Sequence, residues 1–130
     1  MARLNDSILN RAECFADAVL DLTEDLSKQG VSRRLVDQIT ASGTSVGANL
    51  FEADEAMSRP DFVRCLCISI KELNESRFWL RLCTRRRWSS SDRTAVLIDE
   101  SDQLRRILGA MVARTKRIDK KAPVSLSVKK

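Results

Sequence analysis

An all-α, antiparallel up-down-up-down four-helix bundle is the fold this sequence predicts, and three observations predict it. Apolar residues recur at alternating spacings of four and three along four long stretches, which is the seam of helices packed nearly parallel. The breaks between those stretches are short, which forces consecutive helices to run antiparallel. Only four Gly and two Pro occur in 130 residues, and Pro123 falls near the end, so the body of the chain has almost no helix breakers. Hydrophobic residues make up 43% and charged residues 32% of the chain. That is a globular balance at a length suited to one domain: a bundle over 1–118 and a flexible basic tail over 119–130.

The first helical pattern covers about 4–28, where Ile8, Ala12, Phe15, Val19, Leu22 and Leu26 form the seam. Gly30 follows as a stop, with Lys28 in the last turn. The second covers about 32–56, with Ser32 as a candidate N-cap. Its seam reads Leu35, Ile39, Ser42, Val46, Asn49 and Ala53, so two polar side chains stand where core residues belong. Gly43, Gly47 and Ala48 thin this helix, and close approach of another backbone is the expected compensation.

The third pattern opens with Ser58-Arg59-Pro60-Asp61, a capping box in which Pro is tolerated in the first turn. It runs to about 86. Phe62, Leu66, Ser69, Leu73, Ser76, Leu80 and Cys83 form its seam. Further apolar residues flank that seam, including Val63, Cys67, Ile70, Phe78, Trp79 and Leu82. A helix apolar on most of its circumference is expected to be covered there, so these six are expected at an interface with a second copy. After Trp88, Ser89 or Ser91 can cap a fourth helix over about 90–118, with Leu97, Ser101, Leu104, Leu108, Met111, Thr115 and Ile118 in its seam.

The sequence argues against catalysis. It contains no His and no Tyr, which removes the commonest general base and the usual triad partner. Cys14, Cys65, Cys67 and Cys83 lie within helical patterns, away from helix starts that could activate them, and read as reduced thiols. Gly43-Thr44-Ser45-Val46-Gly47 lacks the spacing of a nucleophile elbow and the Lys of a phosphate loop. Glu72 and Glu75 have the three-residue spacing of bundle metal sites without the imidazole. No cofactor or metal is expected. A buried polar network of Ser42, Ser45, Asn49, Glu52, Glu72 and Glu75 is the structural expectation, because buried polar groups need partners. No apolar run approaches the ~20 residues of a membrane span. Residues 1–10 carry Arg3, Asn5 and Asp6 where a secretory leader needs an apolar core. A cytoplasmic protein without membrane partners is expected.

The formal net charge is +5, and it is clustered. Arg81, Arg85, Arg86 and Arg87 form one group; Arg114, Lys116, Arg117, Lys120 and Lys121 form another. Both are candidate contacts to RNA or DNA. Only Trp88 interleaves them, so contact with the phosphate backbone is expected rather than base stacking.

Gln38-Ile39, Ser42-Gly43-Thr44-Ser45-Val46-Gly47-Ala48-Asn49, Glu52-Ala53, Ser58, Asp61-Phe62, Ile68, Lys71-Glu72, Glu75-Ser76 and Phe78-Trp79-Leu80 together resemble the bacterial four-helix-bundle family labelled the 23S rRNA intervening-sequence protein family. The likeness extends over about 8–118. It implies a closed bundle, assembly as a ring-shaped homopentamer, and no attached enzyme activity. Arg77-Phe78-Trp79-Leu80-Arg81-Leu82 and Arg106-Ile107-Leu108-Gly109 also resemble a related branch, the accessory proteins of diversity-generating retroelements. That branch implies a reverse transcriptase and nucleic acid as partners. Many members of the family carry acidic residues after the Trp-Leu pair, where this chain has Arg81 and Arg85-Arg86-Arg87.

Overall fold

The computed structural model describes residues 4–128, with side chains described for 4–120. Four helices follow one another: α1 (Asp6–Lys28), α2 (Arg33–Asp54), α3 (Arg59–Arg85) and α4 (Ser91–Val128). Each packs against the next, and α4 closes more sparsely onto α1. The result is the expected all-α bundle, with α1 spanning roughly 35 Å at the 1.5 Å rise of a helix.

Local chemistry sets the helix ends. The Asn5 side chain accepts a hydrogen bond from the Ile8 amide at 2.9 Å and starts α1. The Ser58 hydroxyl accepts from the Asp61 amide at 3.2 Å, one of the two bonds of a capping box, while the Asp61 carboxylate is held by Arg64. For α4 the capping hydroxyl is Ser90, which accepts from the Arg93 amide at 3.2 Å, rather than Ser89 or Ser91. Ser32 stands at the N-cap of α2 but its side chain makes no capping bond.

The expected seams of α1 and α3 are buried throughout. That of α2 is turned slightly: Val36 and Leu50 are buried, whereas Leu35 and Asn49 are only half-buried. Gly43 explains the turn. A Cβ added there would lie 2.6 Å from Val19 Cγ1, so α2 presents its thin face to α1 and its backbone closes on that side chain. In α4 the seam fades toward its end, from fully buried Leu104 and Leu108 to exposed Ile118.

Two serines on the α2–α3 seam are paired inside the core. Ser76 Oγ donates to Ser42 Oγ at 3.1 Å, and Ser69 Oγ donates to the Val46 carbonyl at 2.9 Å. The looser α1–α4 seam carries ion pairs instead: Arg11 grips Glu100 with two bonds of 2.6 and 2.9 Å, and Arg93 meets Asp25 at 2.6 Å. Partly exposed pairs contribute about 0–1 kcal/mol, against about 1.5–3 kcal/mol for each fully buried Leu. The apolar seams therefore hold the bundle.

The structure departs from expectation at the end of α4, which continues to Val128 instead of stopping near 118. A helix satisfies its own backbone groups internally, so it can continue where the sequence shows no apolar seam.

Candidate functional site

The outer surface of α3 is less apolar than its sequence implies. Arg64, Cys67, Lys71, Asn74, Phe78, Arg81 and Arg85 form one exposed strip along the helix, so the helix has a wet face after all. Cys67 and Phe78, expected at an interface, lie in that strip, and Phe78 is 58% exposed. The other four are half-buried and fall on two flanks. By helical spacing, Val63 and Ile70 lie on one flank and Trp79 and Leu82 on the other. Trp79 and Phe78 meet edge to face, 5.1 Å between centroids.

The flank bearing Trp79 and Leu82 also bears Glu72 and Glu75, and it lies along the groove toward α2. Trp79 Nε1 donates to Glu75 Oε2 at 3.2 Å. Partial desolvation, reinforced by Glu75 and opposed by Lys71, raises the Glu72 carboxyl above its ordinary value. Across the groove, Asn49 Nδ2 donates to the Ser45 carbonyl at 2.9 Å, and Glu52 is exposed. The expected polar set is thus divided. Ser42 is buried against Ser76, whereas no hydrogen bond among the described residues joins Glu52, Glu72 or Glu75 to Ser45 or Asn49. The rims of the groove carry these groups separately.

Among the described residues, no group of three His, Cys, Asp or Glu could hold a metal ion. Burial pushes the Cys65 and Cys83 thiols up from their ordinary value, the direction away from nucleophilic activity. No described helix is long and apolar enough to cross a membrane.

The basic clusters separate to opposite ends. Alternating helix direction brings the α1–α2 turn beside the α3–α4 turn, and Gln29 Nε2 donates to the Trp88 carbonyl across them at 2.7 Å. At this pole the sequence cluster Arg81, Arg85, Arg86 and Arg87 is joined by Lys28, Arg33 and Arg34, all exposed. Sequence reasoning missed the last two because they belong to another connection. The signal was present: short turns already imply that the start of α2 and the end of α3 share an end of the bundle. Among the described residues, Arg33, Arg34, Arg81, Arg85, Arg86 and Arg87 enter no ion pair, whereas Arg11, Arg59, Arg64, Arg93, Arg105 and Arg106 each meet a carboxylate.

Helix stability accounts for part of this pole only. Cations at the end of α3 suit the helix dipole. Arg33 and Arg34 stand in the first turn of α2, where there is no acid and where each cation opposes the dipole by about 0.3–1 kcal/mol. Arg87 takes a left-handed backbone, φ 60°, in a Schellman turn closed by Trp88 N to Cys83 O at 3.0 Å and Arg87 N to Thr84 O at 3.1 Å. Glycine is the residue that fits that position without steric cost. Arg86 lies 5.7 Å from the Trp88 ring, a cation–π contact that steadies the turn.

At the far end, Arg114, Lys116, Arg117 and Lys120 are exposed on α4, roughly 35 Å from the pole along that helix. The Lys121 side chain lies outside the described ones. Carboxylates are interspersed there: Arg59 approaches Asp119 at 3.8 Å and Arg64 meets Asp61 at 2.9 Å.

Residues 5–110 match the family described as 23S rRNA-intervening sequence protein. The chain is also similar to a crystal structure of a protein of unknown function from the S23 ribosomal protein family of Bacteroides thetaiotaomicron. The two are 30% identical, with a TM-score of 0.77, over 81% of this chain and 97% of that one. No curated protein sequence matches the chain.

Proposed function

The chain belongs to the 23S rRNA-intervening sequence protein family, and from that membership we propose that it is a non-catalytic, cytoplasmic bundle that assembles with copies of itself, as a ring of five. The observation that carries this reading is the flank of α3 toward α2, where Trp79 and Leu82 are only half-buried beside exposed Phe78. Burying such side chains fully against a second copy stabilises by about 25 cal/mol for each Å² of apolar surface covered, and a cyclic ring covers the same flank on every subunit. Val63 and Ile70, on the opposite flank of α3, would supply the other side of a head-to-tail contact, with Cys67 in the strip between. The ring of five follows the family resemblance. The bundle proper ends near 118 in this reading. Sedimentation-velocity measurements at micromolar concentration test the assembly, and native mass spectrometry counts the subunits. A monomer at that concentration overturns the reading.

A second reading is favoured by the unpaired arginines: a nucleic-acid-binding accessory protein. Its contacts would be to phosphate and therefore salt-sensitive. The resemblance to the accessory proteins of diversity-generating retroelements adds a reverse transcriptase as a protein partner under the same reading. Binding to structured RNA that is absent at low salt removes it.

A further inference from the structure

We propose that the pole formed by the two turns at residues 29–32 and 86–90 is a docking face for the phosphate backbone of double-helical nucleic acid, with Arg33, Arg34, Arg86 and Arg87 as its principal contacts. The proposal deepens the nucleic-acid reading above and rests on it. It names a surface assembled from both connections, where the sequence offers only one arginine run and a distant second cluster.

Three features support the pole, and the second and third set it apart from the far end. First, its arginines are exposed and free of ion pairs among the described residues, so a phosphate would not have to displace a carboxylate. Arg93 is the exception, already held by Asp25. Glu24, Asp37 and Asp92 are the other carboxylates on the helix ends here, and none of them pairs with the four named arginines. At the far end Arg114, Lys116, Arg117 and Lys120 are likewise free of ion pairs among the described residues, the two carboxylates beside them being held by Arg59 and Arg64, so this feature makes the pole available without setting it apart. Second, Arg33, Arg34 and Arg87 stand where helix and turn stability disfavour them. A residue kept against local preference points to a role outside the fold. Third, the chemistry is specific. These groups are guanidinium rather than ammonium, and the planar fork matches two phosphate oxygens at once. The Trp88 ring is packed against the core and approached by Arg86, so at the pole it does not offer an open stacking platform to unpaired bases. That favours a duplex, whose phosphates are displayed on its outside.

The test uses the full chain and fluorescence anisotropy with a labelled RNA hairpin and a DNA hairpin of the same stem. A pole variant carries Arg33→Gln, Arg34→Gln, Arg86→Gln and Arg87→Gln. A far-end variant carries Arg114→Gln, Arg117→Gln and Lys120→Gln. Thermal melts establish that each is folded, and Arg34→Gln with Arg87→Gly serves if the fourfold variant is not. The pole variant should weaken binding at least about tenfold on both hairpins, with the slope of log affinity against log salt falling by about 0.9 for each phosphate no longer neutralised. The far-end variant should bind within about threefold of the unmodified protein, since it leaves all of the pole's arginines in place. Binding that survives in the pole variant overturns the pole and leaves the nucleic-acid reading standing. A loss that depends on stem sequence overturns phosphate-directed contact. No binding by the unmodified protein at low salt overturns both.

Discussion

The turn that closes α1 and the turn that closes α3 lie side by side and are built alike. In the first, Val31 N bonds Leu26 O and Gly30 N bonds Ser27 O, both at 3.1 Å; in the second, Trp88 and Arg87 make the equivalent bonds to Cys83 and Thr84. In each, an apolar residue, Val31 or Trp88, then packs back on the core. The left-handed position is Gly30 in one, φ 85°, and Arg87 in the other, φ 60°. The same backbone device therefore appears once with the residue it favours and once with a charged residue it tolerates. A turn optimised only for folding would use glycine twice. Under the pole proposal, the difference is what a side chain with a role outside the fold would leave.

Substitutions at the glycines and at Arg87 test that contrast. Gly43→Ala should have the largest effect, because its Cβ would meet the stiff, buried Val19 within 2.9 Å at three atoms. A loss of about 1–3 kcal/mol is expected from overpacking, read as a lower urea midpoint. This glycine is kept for space, whereas Gly30 is kept for its backbone angle. Gly30→Arg has open space around it and should lose about 1–2 kcal/mol from the left-handed conformation alone. An unchanged melting temperature would show that the turn tolerates any residue and would dissolve the argument about Arg87. Arg87→Gly should move the other way, stabilising by about 0.5–1 kcal/mol, offset in part by the freer unfolded chain, while weakening binding to the RNA hairpin. Calorimetry and anisotropy on that one variant separate the two roles: a gain in stability with no loss of binding would leave Arg87 without a part in capture.

The smallest effect should come from Glu72→Gln. The folded protein holds the Glu72 proton more tightly than the unfolded chain does. Its contribution to stability is therefore complete below the ordinary carboxylate range and is lost as pH rises through the raised folded value. The Gln variant should show a flatter dependence of melting temperature on pH from about 4 upward, measured by circular dichroism.

The α3 seam was fully legible in the sequence because large residues mark it at nearly every turn. The α2 seam was read with Leu35 and Asn49 where Val36 and Leu50 belong. Its buried side is marked by Gly43 and Gly47, and residues without apolar side chains give no periodic signal. The serines on α2 and α3 were legible as seam positions, but the pairing of Ser76 with Ser42 requires the register of two helices. The carboxylates of the polar set looked like its partners because spacing along one helix does not fix a partner on the next. Arg33 and Arg34 escaped notice for a related reason: a pole is a property of topology, gathered from segments more than fifty residues apart in the chain. The extension of α4 to Val128 was not read because residues 119–128 continue no apolar seam pattern.

The side-by-side turns have a consequence once several chains are considered together. In a ring whose axis runs along the bundles, rotational symmetry turns the same end of every subunit toward the same side. A closed ring would then gather its copies of Arg33, Arg34, Arg86 and Arg87 onto one face. Each copy need bind only weakly, because the first contact holds the rest of the polyanion at high effective concentration for the others. Dissociating the ring would weaken capture far more than any single arginine substitution, and the number of subunits would set the length of duplex retained.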